Sequence, residues 1–181
     1  MNKPASKQLP SPQGGSGGAR AIRATTTVLH VDDDPKDSEL LRAAIQKADF
    51  PCVLQQLQDG EQAIQYLSGR GPYSDRRRFP FPTLVLLDLR MPCLSGFEIL
   101  KWIRANKAFQ QLPVVMLSGS ALQEDIYRAY EAGATSYLIK PLGFRALVRL
   151  MKDLKTAWPA ALNALGQSRN ARVPATLHPT R

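Results

Sequence analysis

Between residues 25 and 158 short apolar runs alternate with longer stretches whose apolar residues recur every three or four positions. The runs "TTTVLHV" (25–31), "CVLQQL" (52–57), "TLVLLD" (83–88), "PVVMLS" (113–118) and "SYLI" (136–139) predict five strands. Their near-continuous Val, Leu and Ile content is that of strands covered on both faces. The stretches 36–48, 60–69, 96–107, 122–133 and 144–158 carry the i, i+3, i+4 spacing of amphipathic helices, with Gly133 as a C-terminal stop for the fourth. Residues 1–24, including "PSPQGGSGGAR", are too rich in Pro, Gly and Ser to build a core and read as a disordered N-terminal arm. Its "GGSGG" follows no strand and opens no helix, so it is not a phosphate loop. Residues 159–181 read as a flexible basic tail in which "PAALNALG" adds at most two helical turns.

Strict alternation of strands and helices implies a parallel sheet, because parallel neighbours need crossover connections and right-handed crossovers place helices on both faces. The predicted architecture is a flavodoxin-like, doubly wound α/β fold of strand order 2-1-3-4-5, with residues 25–158 as its single domain. Ligands of such sheets bind beyond the carboxyl ends of the strands, at the switch point between strands 1 and 3.

Polar residues stand at that edge. The first strand runs into Asp32, Asp33 and Asp34 ahead of Pro35, the third ends at Asp88, the fourth at Ser118 and the fifth at Lys140. Asp34 with Pro35 has the pattern of a helix N-cap. Asp32, Asp33 and Asp88 would repel one another and raise each other's pKa unless a cation joined them, and an oxygen-only set suits Mg²⁺.

Charge alters this picture little. The formal net charge is +9, but seven of those charges are Lys3, Lys7, Arg20, Arg23, Arg169, Arg172 and Arg181 in the two ends, where no acid accompanies them. They are sparse and lack interleaved aromatics, which fits solvated tails better than a nucleic-acid interface. Cys52 and Cys93 are too few for a disulfide framework. No stretch has the length of a membrane span, and with no apolar signal segment the expected location is cytoplasmic.

"VDDDP", "LLDLRMP" with Gly96, "LSGS" and "YLIKP", in that order, resemble the receiver domain of two-component response regulators over about residues 27–157. The chain is most similar to the stand-alone receivers that accompany bacterial phytochromes, given its long loop before the third strand. The resemblance implies a single-domain response regulator whose only catalysis is its own phosphorylation and dephosphorylation. Asp88 would accept a phosphoryl group from a sensor histidine kinase, of which a bacteriophytochrome is one candidate. Mg²⁺ would be held by Asp32, Asp33, Asp88 and the backbone carbonyl of Arg90. Lys140 and Ser118 would contact the phosphoryl oxygens, and Tyr137 would turn inward as Ser118 closes. The face of helix 4, strand 5 and helix 5 would then report the change to a downstream protein, to a phosphorelay or to a second copy of the chain.

Several residues fall outside this pattern. His30, inside the first strand, reads as a satisfied buried histidine, and Cys93 as an ordinary thiol without a nucleophile's partners. Leu142 follows Lys140–Pro141 where the family often has phenylalanine. Arg90, two residues past Asp88, is expected to lean over the pocket near Ser120 and slow hydrolysis of the acyl phosphate. "DRRRFPFP" (75–82) reads equally as a docking site or a solvated loop. A haloacid-dehalogenase-type phosphatase would need a small residue at Pro35 and a further acidic pair after Lys140. Too few residues follow Trp158 for a DNA-binding helix-turn-helix.

Overall fold

The computed structural model describes residues 26–167, with side chains as far as Trp158. The N-terminal arm, 1–24, and the end of the basic tail lie outside the described residues. Strands β1 (Thr26–Val31), β2 (Cys52–Leu57), β3 (Leu84–Leu87), β4 (Val114–Ser118) and β5 (Ser136–Ile139) form one parallel sheet ordered β2-β1-β3-β4-β5. Helices α1 (Pro35–Lys47), α2 (Gly60–Ser68), α3 (Gly96–Ala105), α4 (Gln123–Glu131) and α5 (Phe144–Gln167) connect and flank the strands.

The period-two alternation of each inner strand divides its residues between two cores. Val28, Leu84, Leu86, Val115, Leu117 and Leu138 pack with α1 and α5 through Leu41, Ile45, Met151, Leu154 and Trp158. Their neighbours Leu29, Val31, Val85, Leu87, Val114 and Met116 pack with α2, α3 and α4 through Leu67, Ile99, Leu100, Ile103 and Ala129. The edge strands depart from the expectation of cover on both faces. Most of β2 is half-exposed, and Ile139 at the end of β5 is exposed, because each edge strand has a neighbour on one side only.

Local chemistry fixes where the elements start. Asp34 caps α1 by accepting the Lys36 N–H at 2.7 Å, with Pro35 at the first helical position. Ser95 and Glu98 form a reciprocal capping box at α3. The fourth helix ends at Glu131, and Gly133 follows with φ +92°. α5 continues past Trp158 to Gln167, about the two turns allowed for "PAALNALG", whose Ala and Leu residues are strong helix formers, so residues 159–167 belong to the helix rather than to a flexible tail.

The loop before β3 is neither free nor simply solvated. Arg76 donates to the carbonyls of Tyr66 and Leu67 in the last turn of α2, both at 2.8 Å, and to that of Phe79 at 3.3 Å, adding to the Gly69 N–H that Tyr66 also accepts. Phe79 packs edge to face against both Tyr66 and Tyr73, which are tilted to each other, and the Tyr66 hydroxyl donates to the Pro80 carbonyl at 2.6 Å. Of the three arginines only Arg77 and Arg78 face solvent. Among the described residues no helix is long and apolar enough to cross a membrane.

Candidate phosphoacceptor site

The sheet ladder continues one residue beyond three strands and fixes the polar groups there. The Asp32 N–H donates to the Leu57 carbonyl at 3.0 Å, Asp88 N–H to Val31 at 2.9 Å and Lys140 N–H to Ser118 at 2.7 Å. Gly96 is required behind them. A Cβ at this position would lie 2.0 Å from the backbone oxygen of Asp88, so any side chain would push the third strand's end out of place.

Asp32 and Asp88, 1% and 5% exposed, both meet the Lys140 ammonium. Nζ lies 2.7 Å from Asp32 Oδ2, 2.9 Å from Asp88 Oδ1 and 2.9 Å from Asp37 Oδ2. The second oxygen of each buried carboxylate takes a backbone N–H, from Asp34 to Asp32 at 3.1 Å and from Arg90 to Asp88 at 2.7 Å. Asp33 is half-buried beside them. Lys140, expected at this edge from its place after the fifth strand, is the side-chain cation that joins the two buried carboxylates. Among the described residues no three acidic, histidine or cysteine side chains are gathered in metal-binding geometry.

Electrostatics nonetheless leave room for more positive charge. Burial pushes the Asp88 carboxyl above the usual carboxylate range, Lys140 and the Arg90 N–H oppose that, and the Asp32 charge adds to it. Burial would also raise Asp32, but contacts with His30 and Lys140 outweigh it and hold Asp32 below the usual range. For Lys140 burial works against the ammonium, yet hydrogen bonds to Asp32, Asp37 and Asp88 prevail and raise its pKa. One ammonium thus leaves Asp88 short of stabilisation. An all-oxygen donor set of Asp32, Asp33, Asp88 and the Arg90 carbonyl fits a hard divalent cation.

Ser118, 2% exposed, accepts the Ser120 N–H on Oγ at 3.3 Å. Tyr137 is buried, its hydroxyl donating to the Ser120 carbonyl at 2.9 Å. The Arg90 guanidinium, expected over the pocket near Ser120, makes its side-chain contact with a carboxylate of α4. Its partner is Asp125 Oδ2 at 3.3 Å, and Ser120 Oγ donates to that same oxygen at 2.5 Å, so Arg90 comes near Ser120 only through a shared acid.

Two residues are seen differently from the sequence reading. His30 is not satisfied: its Nε2 lies 3.4 Å from Asp32 Oδ2, but its buried Nδ1 has no partner. Asp37 belongs to the Lys140 cluster and was not singled out. The available signal was its place in the first turn of α1, just after Pro35.

Comparison with known proteins agrees with this geometry. The response regulator receiver domain matches residues 28–152. The probable methanogenesis regulatory protein FilR2 of Methanothrix harundinacea is 35% identical over 136 residues, covering 72% of this chain and 82% of that protein. The structure of the phosphorylated cyanobacterial phytochrome response regulator RcpA superposes with a TM-score of 0.69 at 28% identity, covering 76% of this chain and 96% of that one. The Mn²⁺-bound form of Rcp1, a Synechocystis response regulator, gives a TM-score of 0.65 at 30% identity, covering 74% of this chain and 94% of that one. The chain belongs to the response regulator receiver domain family, whose members are signalling proteins served by histidine kinases.

Proposed function

We propose that this receiver domain accepts a phosphoryl group on Asp88 from the phosphohistidine of a sensor kinase, and that the transfer depends on Mg²⁺. The observation that carries this reading is the convergence of Asp32 and Asp88 on one ammonium, that of Lys140, at 2.7 and 2.9 Å. Asp88 Oδ1 attacks phosphorus, the P–N bond breaks, and the departing imidazole takes up a proton from water. Asp32, Asp33, Asp88 and the Arg90 carbonyl would hold Mg²⁺, which neutralises the phosphoryl oxygens when bound. Lys140 leaves Asp88 for a phosphoryl oxygen while keeping Asp32 and Asp37, so the ammonium stays oriented throughout. Ser118 exchanges the Ser120 N–H for a phosphoryl oxygen, and the released Ser120 amide passes the change to Tyr137 and α4. Asp37, as the third carboxylate, holds Lys140 in place.

RcpA, a phytochrome response regulator, is among the similar structures, and we take a bacteriophytochrome as the kinase that fits best. The output is protein contact or onward phosphate flow in the cytoplasm. Exposed Tyr127, Ile139 and Phe144 on α4, β5 and α5 suit an apolar contact, a second copy being one such partner. Incubation with Mg²⁺ and acetyl phosphate tests the reading. Acid-labile, alkali-labile phosphate is expected, abolished by a chelator; uptake that ignores the chelator contradicts the metal's role.

A further inference from the structure

Asp125 lies outside the phosphoacceptor pocket and has no part in the transfer just described. It stands in the first turn of α4, a helix whose N-cap residue, Leu122, gives no side-chain cap. One oxygen of this carboxylate joins two elements: Ser120 Oγ of the β4–α4 loop at 2.5 Å and Arg90 Nη2 of the β3–α3 loop at 3.3 Å. Asp125 is 13% exposed and firmly held, whereas the Arg90 side chain is 68% exposed and is tied down by this contact alone among the described residues. At its other end Arg90 is anchored beside the reacting atoms, its backbone N–H donating to Asp88 Oδ2 at 2.7 Å. The guanidinium is therefore placed between two anions: the carboxylate it holds now, and the phosphoryl group that Asp88 would carry.

We propose that Asp125 is a positioning residue that keeps Arg90 off the phosphoryl group and thereby shortens the life of the acyl phosphate. The proposal rests on Asp88 being the phosphoacceptor. In the hydrolysis, water attacks phosphorus, the bond between phosphorus and the Asp88 oxygen breaks, the carboxylate leaves, and the proton lost by water goes to solvent as inorganic phosphate departs. A free guanidinium would pair with the phosphoryl oxygens in a forked contact and obstruct that water, since arginine matches phosphate geometry in a way a single ammonium does not. Asp125 offers Arg90 an alternative anion. Because Ser120 shares the same oxygen, movement of the β4–α4 loop changes how strongly Arg90 is held.

Asp125→Asn separates charge from shape, because the amide oxygen still accepts the Ser120 hydroxyl while the attraction for Arg90 is lost. The decay of phosphate from the full chain, phosphorylated with acetyl phosphate at fixed Mg²⁺, is followed for wild type, Asp125→Asn, Arg90→Ala and the double variant, with thermal unfolding as the check on folding. Asp125→Asn is expected to lengthen the half-life roughly three- to tenfold, and the same change in the Arg90→Ala background to leave it unmoved. An unchanged or shorter half-life in Asp125→Asn overturns the proposal. So does equal lengthening with and without Arg90, which would mean that Asp125 acts on the water or the loop directly. Wild-type chain that takes up no phosphate at all contradicts the receiver reading itself and removes the proposal with it, a result distinct from normal uptake with unmoved lifetimes.

Discussion

Lys140 and Arg90 both hold carboxylates at the carboxyl edge of the sheet, yet the two contacts are of different kinds. The Lys140 side chain is 20% exposed and bridges Asp32 and Asp88, which are buried and also accept backbone N–H groups. The Arg90 guanidinium reaches a single oxygen from solvent. In the first case three charges have left water together and none can lose its partner cheaply. In the second, water replaces either partner with little loss. The difference teaches which contact is a fixed part of the fold and which is free to exchange one anion for another, and it is the exchangeable one that suits control of a phosphate's lifetime.

The comparison is most sharply tested by removing each cation in turn. Lys140→Ala leaves Asp32 and Asp88 buried without their ammonium and should cost about 3 kcal/mol in urea unfolding, partly restored by millimolar Mg²⁺. A loss within the error of Arg90→Ala would show that the pocket is open enough for water to serve. Gly96→Ala comes next. Its methyl would drive into the Asp88 carbonyl, so about 2 kcal/mol should be lost and phosphate uptake with it, whereas an alanine at the exposed Gly119, which has nothing within 4 Å of an added Cβ, should be tolerated.

The two clusters should also fail at opposite ends of the pH scale. The folded Lys140 pKa lies above its ordinary 10.5, so its stabilisation is complete below that pH and is lost as pH rises through the folded value. The Ser120 hydrogen bond, joined by Arg90, holds Asp125 below its ordinary 3.8, so its stabilisation is present above that pH and is lost as pH falls through the folded value. The stability gap between wild type and Lys140→Ala should therefore narrow above about pH 10.5 and that for Asp125→Asn below about pH 4. Gaps that move in the reverse sense would mean that other partners dominate. The smallest effect is Arg90→Ala on stability, within about 0.5 kcal/mol and vanishing in 1 M salt.

The same division decides what could be read from the chain. The sheet order, the helices and the residues ending each strand follow from local periodicity, and Asp32, Asp88, Ser118 and Lys140 were legible because each directly follows an apolar run. The partners of those residues were not. Asp37 meets Lys140 across 103 positions, and Arg90 meets Asp125 across 35, distances at which spacing carries no signal. Arg76 looked like one of three equivalent arginines and is instead bound to the carbonyls that end α2, a role set by how the loop folds back. His30 was placed correctly inside its strand, but whether both ring nitrogens find partners depends on what packs above them.

The central claim is that the buried cluster, and within it Asp88, receives the phosphoryl group. Borohydride reduction of the phosphorylated chain converts an aspartyl phosphate to homoserine, and mass spectrometry of the peptides then locates it. Homoserine at position 88 alone, and none in Asp88→Asn, is the predicted result. Homoserine at Asp32 or Asp33 in the wild type, or phosphate uptake that persists undiminished in Asp88→Asn, would contradict it.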